Sequence, residues 1–261
     1  MSLASIKRVI LATSVLLLGP LADSTQANSA TLLVGAASSL SDVLQPIAEV
    51  FTRTTGDGVR FSFGSSADIA RQTKLGAPFD VVMTADVITM DSIDAHHLLR
   101  PGSRLDIVGN TLDLIVPRAA SSKSPVVVAR PQDLLNPAIQ RIAICPNEVP
   151  AGRYAGELLD SLGLREKLRA KLVTAPHVRA VLSLVAHGAV DAGFVYGTDA
   201  RAFNTDVVSV FKVGRSDGID IRYVAAVIAS SKHVDSALAF VRILRSDGAW
   251  QLFRTWGFHR L

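Results

Sequence analysis

The chain alternates short apolar runs with longer helical patterns, and this alternation limits its fold more than any other feature. Runs rich in Val, Ile and Leu, such as residues 30–35 and 59–63, are typical of buried strands. Segments with apolar residues at about every third or fourth position, such as residues 40–54, predict amphipathic helices between them. Strands and helices in this order predict an α/β architecture dominated by parallel strands.

The same patterns give approximate bounds for the individual elements. The predicted strands lie at residues 30–35, 59–63, 80–84, 111–117, 141–145, 189–196, 207–213 and 223–229. The predicted helices lie at residues 40–54, 66–75, 152–162, 179–186 and 234–244. Residues 119–124 and 214–218 have the composition of connecting loops.

The N-terminal segment has the composition of a secretory signal peptide. Lys7 and Arg8 precede an almost wholly apolar run at residues 9–18, and small residues around Ala27 offer cleavage sites. The alternative is a membrane anchor, but the run is well short of the ~20 residues that a span needs. We therefore expect residues 1–27 to be removed and the mature protein to be soluble and periplasmic.

Composition excludes some classes of protein. The 261 residues are 49% hydrophobic and 19% charged, which is ordinary for a globular protein large enough for one domain or two lobes. Cys145 is the single cysteine, so no intrachain disulfide can form. The net charge is +4, with basic residues scattered rather than clustered, and nucleic acid is therefore not an expected partner.

Small or hydroxyl-bearing residues mark four points at which a strand or loop gives way to a helix. These junctions are at residues 36–41, 63–67, 149–152 and 176–178. The first turn of a helix has unpaired backbone N–H groups and a partial positive charge, so it can bind an anion. The alternative is that each serine only caps its helix. Spacing alone does not show that the four junctions converge.

Several stretches in a fixed order resemble the periplasmic molybdate-binding proteins of ABC transporters over most of the mature length. The matching stretches are residues 36–40, 62–66, 76–80, 84–86, 109–112, 149–155, 178–179 and 195–200. The resemblance implies a two-lobed type II periplasmic binding protein with its ligand in the interlobe cleft. It implies a first lobe of residues 31–108 and 225–261 and a second lobe of residues 109–224.

The resemblance also implies which residues contact the ligand. Ser39 and Ser66 would each offer a hydroxyl, Ala151 and Val178 would offer backbone N–H groups at helix starts, and Tyr196 would offer its phenolic hydroxyl. Four of these positions lie at the junctions found from the pattern, and Tyr196 is added by the resemblance alone. The ligand would be molybdate or tungstate, and a membrane permease would receive it.

Other chemistry has weaker support in the sequence. His96 and His97 are adjacent and make a poor chelate on a helix, and no HExxH or Cys/His cluster is present, so we expect neither a bound metal cation nor a cofactor. Residues 214–218 match G-x-S-x-G, but strand-like residues follow them, which favours a turn between strands. Arg153 and Arg179 adjoin the implied site and are interpreted as solvated arginines.

Three hypotheses for function follow. The first is a monomeric binding protein that delivers molybdate or tungstate to an ABC-transporter permease and is not an enzyme. The second is a hydrolase or transferase acting on phosphate esters, which would need a nucleophile and a positioned base. His177 is the only histidine at any of the four junctions. The third is a binding protein for sulfate or phosphate, for which cavity size would be decisive.

Overall fold

The computed structural model describes residues 29–118 and 127–261. The predicted signal peptide at residues 1–27 and the predicted loop at residues 119–124 lie outside the described residues. In the described part of the chain, no helix is both long enough and apolar enough to cross a membrane.

The first of two five-stranded sheets contains the strands at both ends of the described chain. Its members are β1 (Thr31–Ala37), β2 (Gly58–Gly64), β3 (Val81–Thr84), β4 (Leu105–Asn110) and β10 (Ile221–Val227). Their spatial order is β2-β1-β3-β10-β4. β1 pairs in parallel with β2 and β3, whereas β10 is antiparallel to β3 and β4.

The second sheet is built from the middle of the chain and repeats this arrangement. Its members are β5 (Leu112–Pro117), β6 (Ile142–Ile144), β7 (Leu172–Thr174), β8 (Ala192–Tyr196) and β9 (Val207–Val213). Their spatial order is β7-β6-β8-β5-β9, with β6 parallel to β7 and β8, and β5 antiparallel to β8 and β9. The prediction of an α/β fold is therefore confirmed.

The α-helices follow the strands on both sheets. They are α1 (Ser41–Thr55), α2 (Ser66–Lys74), α3 (Val87–Asp94), α4 (Pro150–Ser161), α5 (Arg165–Leu168), α6 (Val178–Ala186), α7 (Gly197–Ala202), α8 (Val234–Ile243) and α9 (Asp247–Thr255). Short 3-10 helices lie at Ser38–Leu40, Pro131–Leu135, Arg169–Lys171 and Arg215–Asp217. The 3-10 turn at Arg215–Asp217 connects β9 to β10, which confirms a turn between strands at the G-x-S-x-G match.

The dominance of parallel strands is the part of the fold prediction that is wrong, because half of the strand pairings are antiparallel. The reason is local. Only Thr111 separates β4 from β5, and a single 3-10 turn separates β9 from β10, so neither connection has room for a crossover helix. At both places the chain passes from one sheet to the other. The predicted lobe boundary at residue 225 falls inside β10.

Candidate functional site

The carboxyl ends of several strands face one small cavity, which is where α/β proteins most often bind ligands. The cavity is small, with a volume of about 10 Å³. The residues that line it are Ala37, Ser38, Ser39, Gly64, Ser65, Ser66, Ala85, Val149, Pro150, Ala151, His177, Val178 and Tyr196. All five residues predicted from the sequence are therefore brought together.

Both sheets contribute to this cavity. Ser39 follows β1, and Ser66 follows β2 and opens α2, so these two residues come from the first sheet. Ala151 lies in the first turn of α4, Val178 opens α6, and Tyr196 ends β8, so these three come from the side of the second sheet. The cavity is thus closed by groups from two sheets, as an interlobe ligand cleft requires.

The helix starts at the cavity supply backbone donors. In the first turn of a helix the N–H groups have no partner within the helix. Pro150 opens α4, and because proline has no N–H group, the first backbone donor of this helix is that of Ala151. Val178 is the first residue of α6 and lines the cavity beside its capping residue, His177. Both helices are long enough to place a partial positive charge at the cavity.

Each of the two predicted serines has a hydrogen-bond partner within the protein. The backbone N–H of Ala85 donates to Ser66 Oγ at 2.9 Å. Ser39 Oγ lies 2.7 Å from the Tyr223 hydroxyl. Both serines are almost fully buried. The proton of Ser66 is left available to a group in the cavity.

Ser65 and His177 also line the cavity, but their side chains are engaged in capping. Ser65 Oγ accepts from the Asp68 backbone N–H at 3.1 Å and donates to the Asp68 carboxylate at 2.7 Å. His177 Nδ1 accepts from the Ala180 backbone N–H at 3.2 Å. The simple capping alternative therefore describes these two residues, and it does not describe Ser39 or Ser66.

Tyr196 is a protonated donor at any physiological pH. Its side chain is buried, and loss of solvent holds the pKa of its hydroxyl well above the usual value, with the Tyr223 and Tyr154 hydroxyls adding to the effect. Its ring packs edge-on against Tyr223, with the ring centres 5.8 Å apart. A neutral phenol fixed in this way can donate one hydrogen bond into the cavity.

No Lys, Arg, Asp or Glu is among the described residues that line the cavity. The two arginines beside it are held by carboxylates, so the prediction that Arg153 and Arg179 are solvated is wrong. Arg153 pairs with the buried Asp86, which also caps α3. Arg179 pairs with Asp42 and with Asp199. Both arginines are therefore paired with carboxylates, and neither lines the cavity.

The Arg179 pairs connect distant parts of the chain. Asp42 lies in the first turn of α1, on the side of the first sheet, whereas Asp199 lies in α7 and is fully buried. Burial raises the pKa of Asp199 to about 6, although the Arg179 guanidinium acts in the opposite direction. Arg179 therefore compensates the charge of a desolvated carboxylate, and its side chain is only 18% exposed.

The geometry gives little support to the enzyme hypothesis. A hydrolase of this kind needs a nucleophile within hydrogen-bond reach of a base. Among residues 29–118 and 127–261, Ser39 has Tyr223 as its side-chain partner, and His177 Nδ1 is occupied by the cap of α6. The same described ranges contain no group of three or more His, Cys, Asp or Glu side chains placed to hold a metal ion.

Residues 32–259 match the family model of the bacterial extracellular solute-binding proteins. The chain belongs to this family. It is 34% identical over 236 residues to the molybdate-binding protein ModA of Escherichia coli, covering 89% of this chain and 90% of that relative. It is 32% identical to the molybdate-binding protein ModA of Haemophilus influenzae, covering 89% and 91%.

Solved structures give the same picture. The substrate-binding domain of a putative molybdenum ABC transporter from Clostridium difficile is 34% identical, with a TM-score of 0.67 over 89% of this chain and 100% of that one. The periplasmic molybdate-binding protein of Azotobacter vinelandii is 26% identical, with a TM-score of 0.75 over 87% and 98%. The fold is thus that of a two-lobed type II periplasmic binding protein, as predicted.

Sequence reasoning missed three residues next to the site. Tyr223 and Asn110 form a buried hydrogen-bonded pair behind Ser39, and Asp42 is the partner of Arg179. Tyr223 lies in the strand predicted at residues 223–229, and no motif around it marks it as a site residue. Asn110 does have a signal in the sequence, since residues 109–112 are among the stretches that resemble the family.

Proposed function

We propose that this protein is a periplasmic solute-binding protein that captures molybdate or tungstate and delivers it to an ABC-transporter permease. The observation that carries the proposal is the convergence of Ser39, Ser66, Tyr196 and the starts of α4 and α6 on one small cavity. The names of the relatives in Escherichia coli and Haemophilus influenzae support the choice of ligand.

The ligand would be bound by neutral donors. In this proposal the hydroxyls of Ser39, Ser66 and Tyr196 and the backbone N–H groups of Ala151 and Val178 contact the four oxygens of the anion. Each hydrogen bond to an ionised acceptor stabilises it by about 1.5–3 kcal/mol. Several such bonds offset the cost of removing the anion from solvent.

Neutral donors suit a protein that must release its ligand again. A lysine or arginine in direct contact would attract any anion, whereas fixed dipoles at set distances favour one size and shape. The small cavity lined by neutral groups therefore supports a compact oxyanion as the ligand. Sulfate and phosphate have the same shape but shorter bonds, and they are the competitors that a binding experiment must include.

We also propose the lobe arrangement, location and assembly state. Each lobe would be built around one sheet, and because β4 (Leu105–Asn110) belongs to the first sheet, the first crossing comes at Thr111 rather than at the predicted boundary of 108/109. Because β10 belongs entirely to the first sheet, we propose that the return to the first lobe comes near residue 221. The protein would act in the periplasm as a monomer, after removal of residues 1–27.

Three single substitutions test the ligand contacts. We expect Ser39→Ala, Ser66→Ala and Tyr196→Phe each to raise the dissociation constant for molybdate by roughly ten- to a hundredfold, because each removes one donor to the anion. The measurement is calorimetric titration of each purified variant. Ser161→Ala is the matched control, since its hydroxyl donates to the Leu158 carbonyl away from the cavity.

The control should bind as the unaltered protein does, within about twofold, because surface substitutions have small effects. Thermal unfolding of all four variants separates lost contacts from lost folding. If the three site variants fold and still bind molybdate with unchanged affinity, the proposed contacts are wrong.

A further inference from the structure

A buried chain of hydrogen bonds lies directly behind Ser39. Ser39 Oγ is 2.7 Å from the Tyr223 hydroxyl, and Asn110 Nδ2 is 3.1 Å from the same hydroxyl. Asn110 Nδ2 also donates to Thr198 Oγ1 at 2.9 Å. All four side chains are at most 3% exposed. The proposed ligand contacts make no use of Tyr223, Asn110 or Thr198.

The orientation of the Asn110 amide is fixed by its backbone neighbour. Asn110 Oδ1 accepts from the Thr111 backbone N–H at 2.8 Å, which places the oxygen on that side. The amide nitrogen therefore faces Tyr223 and Thr198, and an amide NH₂ group can only donate. The Tyr223 oxygen accordingly accepts from Asn110.

This fixes the direction of the next bond. Tyr223 is fully buried, and burial raises the pKa of its hydroxyl, so the phenol keeps its single proton. If Ser39 donated to Tyr223, that phenolic proton would be buried without a partner, at a cost of about 1–3 kcal/mol. The favoured arrangement has Tyr223 donating to Ser39 Oγ. The proton of Ser39 is then free to donate into the cavity, as is that of Ser66.

We propose that Asn110 and Tyr223 are positioning residues that turn the Ser39 hydroxyl proton toward the ligand. This inference rests on the proposed function of the same site.

A double-mutant cycle separates positioning from general support of the fold. We expect Tyr223→Phe to raise the dissociation constant for molybdate by about three- to thirtyfold, because Ser39 loses the bond that orients it. In the Ser39→Ala background the same change should have an effect below about twofold, since no hydroxyl is left to orient. An equal loss in both backgrounds, or no loss in either, would overturn the proposal.

The direction of the bonds can also be observed without any ligand. Neutron diffraction from crystals of the deuterium-exchanged protein should place the Tyr223 deuteron between its oxygen and Ser39 Oγ. A deuteron of Ser39 in that position would refute the inference, whatever the protein binds. If the unaltered protein binds no oxyanion but the deuterons lie as expected, the proposed function fails and the hydrogen-bond direction stands.

Discussion

Replacing Arg179 with glutamine is expected to lower the free energy of unfolding by about 3–5 kcal/mol, the range measured when one partner of a buried ion pair is removed. Asp199 is fully buried, and its nearest cationic partner is Arg179 Nε at 2.6 Å from Oδ1. Glutamine is shorter and uncharged, so the carboxylate of Asp199 would stay desolvated without a counter-charge. Urea denaturation followed by circular dichroism measures the change.

Arg169→Gln is the matched control for this substitution. Arg169 also pairs with a carboxylate, that of Glu166, but at 3.8 Å and with both side chains more than 80% exposed. Exposed pairs of this kind contribute at most about 1 kcal/mol. A comparable loss of stability in both variants would contradict the account of Arg179 as the partner of a buried charge.

Asp199 also gives the protein a pH dependence whose sign can be stated. The pKa of Asp199 is about 6 in the folded protein, above the ordinary value of 3.8, so the folded state binds this proton more tightly than the unfolded state does. The stability from this group is therefore fully present below about pH 4 and is lost as the pH rises through 6. Between these values the slope is up to about 1.4 kcal/mol per pH unit.

The comparison of the unaltered protein with Asp199→Asn isolates this contribution. As the pH is lowered from 7.5 to 5, the free energy of unfolding of the unaltered protein should increase relative to that of the asparagine variant. Other carboxylates titrate in both proteins and cancel in the difference. A difference that stays constant with pH, or that changes in the opposite direction, would show that burial does not control this carboxyl group.

Replacing Gly152 with alanine is expected to lower the free energy of unfolding by about 3 kcal/mol and to weaken molybdate binding at least about tenfold. A methyl group at this position would collide with the backbone carbonyl oxygens of Cys145 and Pro146. Because backbone atoms cannot turn aside as a side chain can, the start of α4 would have to move. That start includes Ala151, a proposed donor to the ligand.

Gly248→Ala tests the same chemical change where space exists. Gly248 lies in the first turn of α9, and the nearest atom to a methyl group there would be Ser246 Oγ at 3.9 Å. Alanine is the better helix former, so this variant should be as stable as the unaltered protein or about 0.5–1 kcal/mol more stable. If Gly152→Ala behaves in the same way, the collision at α4 does not control the site.

The sequence predicts much of this fold because the signals are local. Apolar runs and helical periodicity place most of the strands and helices within a few residues of their observed bounds. β4 is not predicted, because its first three residues are at least partly exposed and its last three continue almost directly into β5. Strand direction is not predicted either, because side chains alternate with the same period in parallel and antiparallel strands.

The site is less predictable, because its contacts join residues far apart in the chain. Local patterns indicate four helix starts that could bind an anion, but their convergence depends on how two sheets face each other. Asn110 and Tyr223 are 113 residues apart, and Asp42 and Arg179 are 137 residues apart. Nothing in the sequence near any of these residues indicates its partner, so only the folded structure shows that Tyr223 lies against Ser39 and that Arg179 pairs with Asp42.

Calorimetric titration of the mature protein with molybdate, tungstate, sulfate and phosphate tests the central claim most directly. We expect binding in the sub-micromolar range for molybdate and tungstate and no detectable binding of sulfate or phosphate. Equal binding of sulfate would make the protein a general oxyanion binder and remove the argument from ligand size. No binding of either molybdate or tungstate would contradict the proposed function.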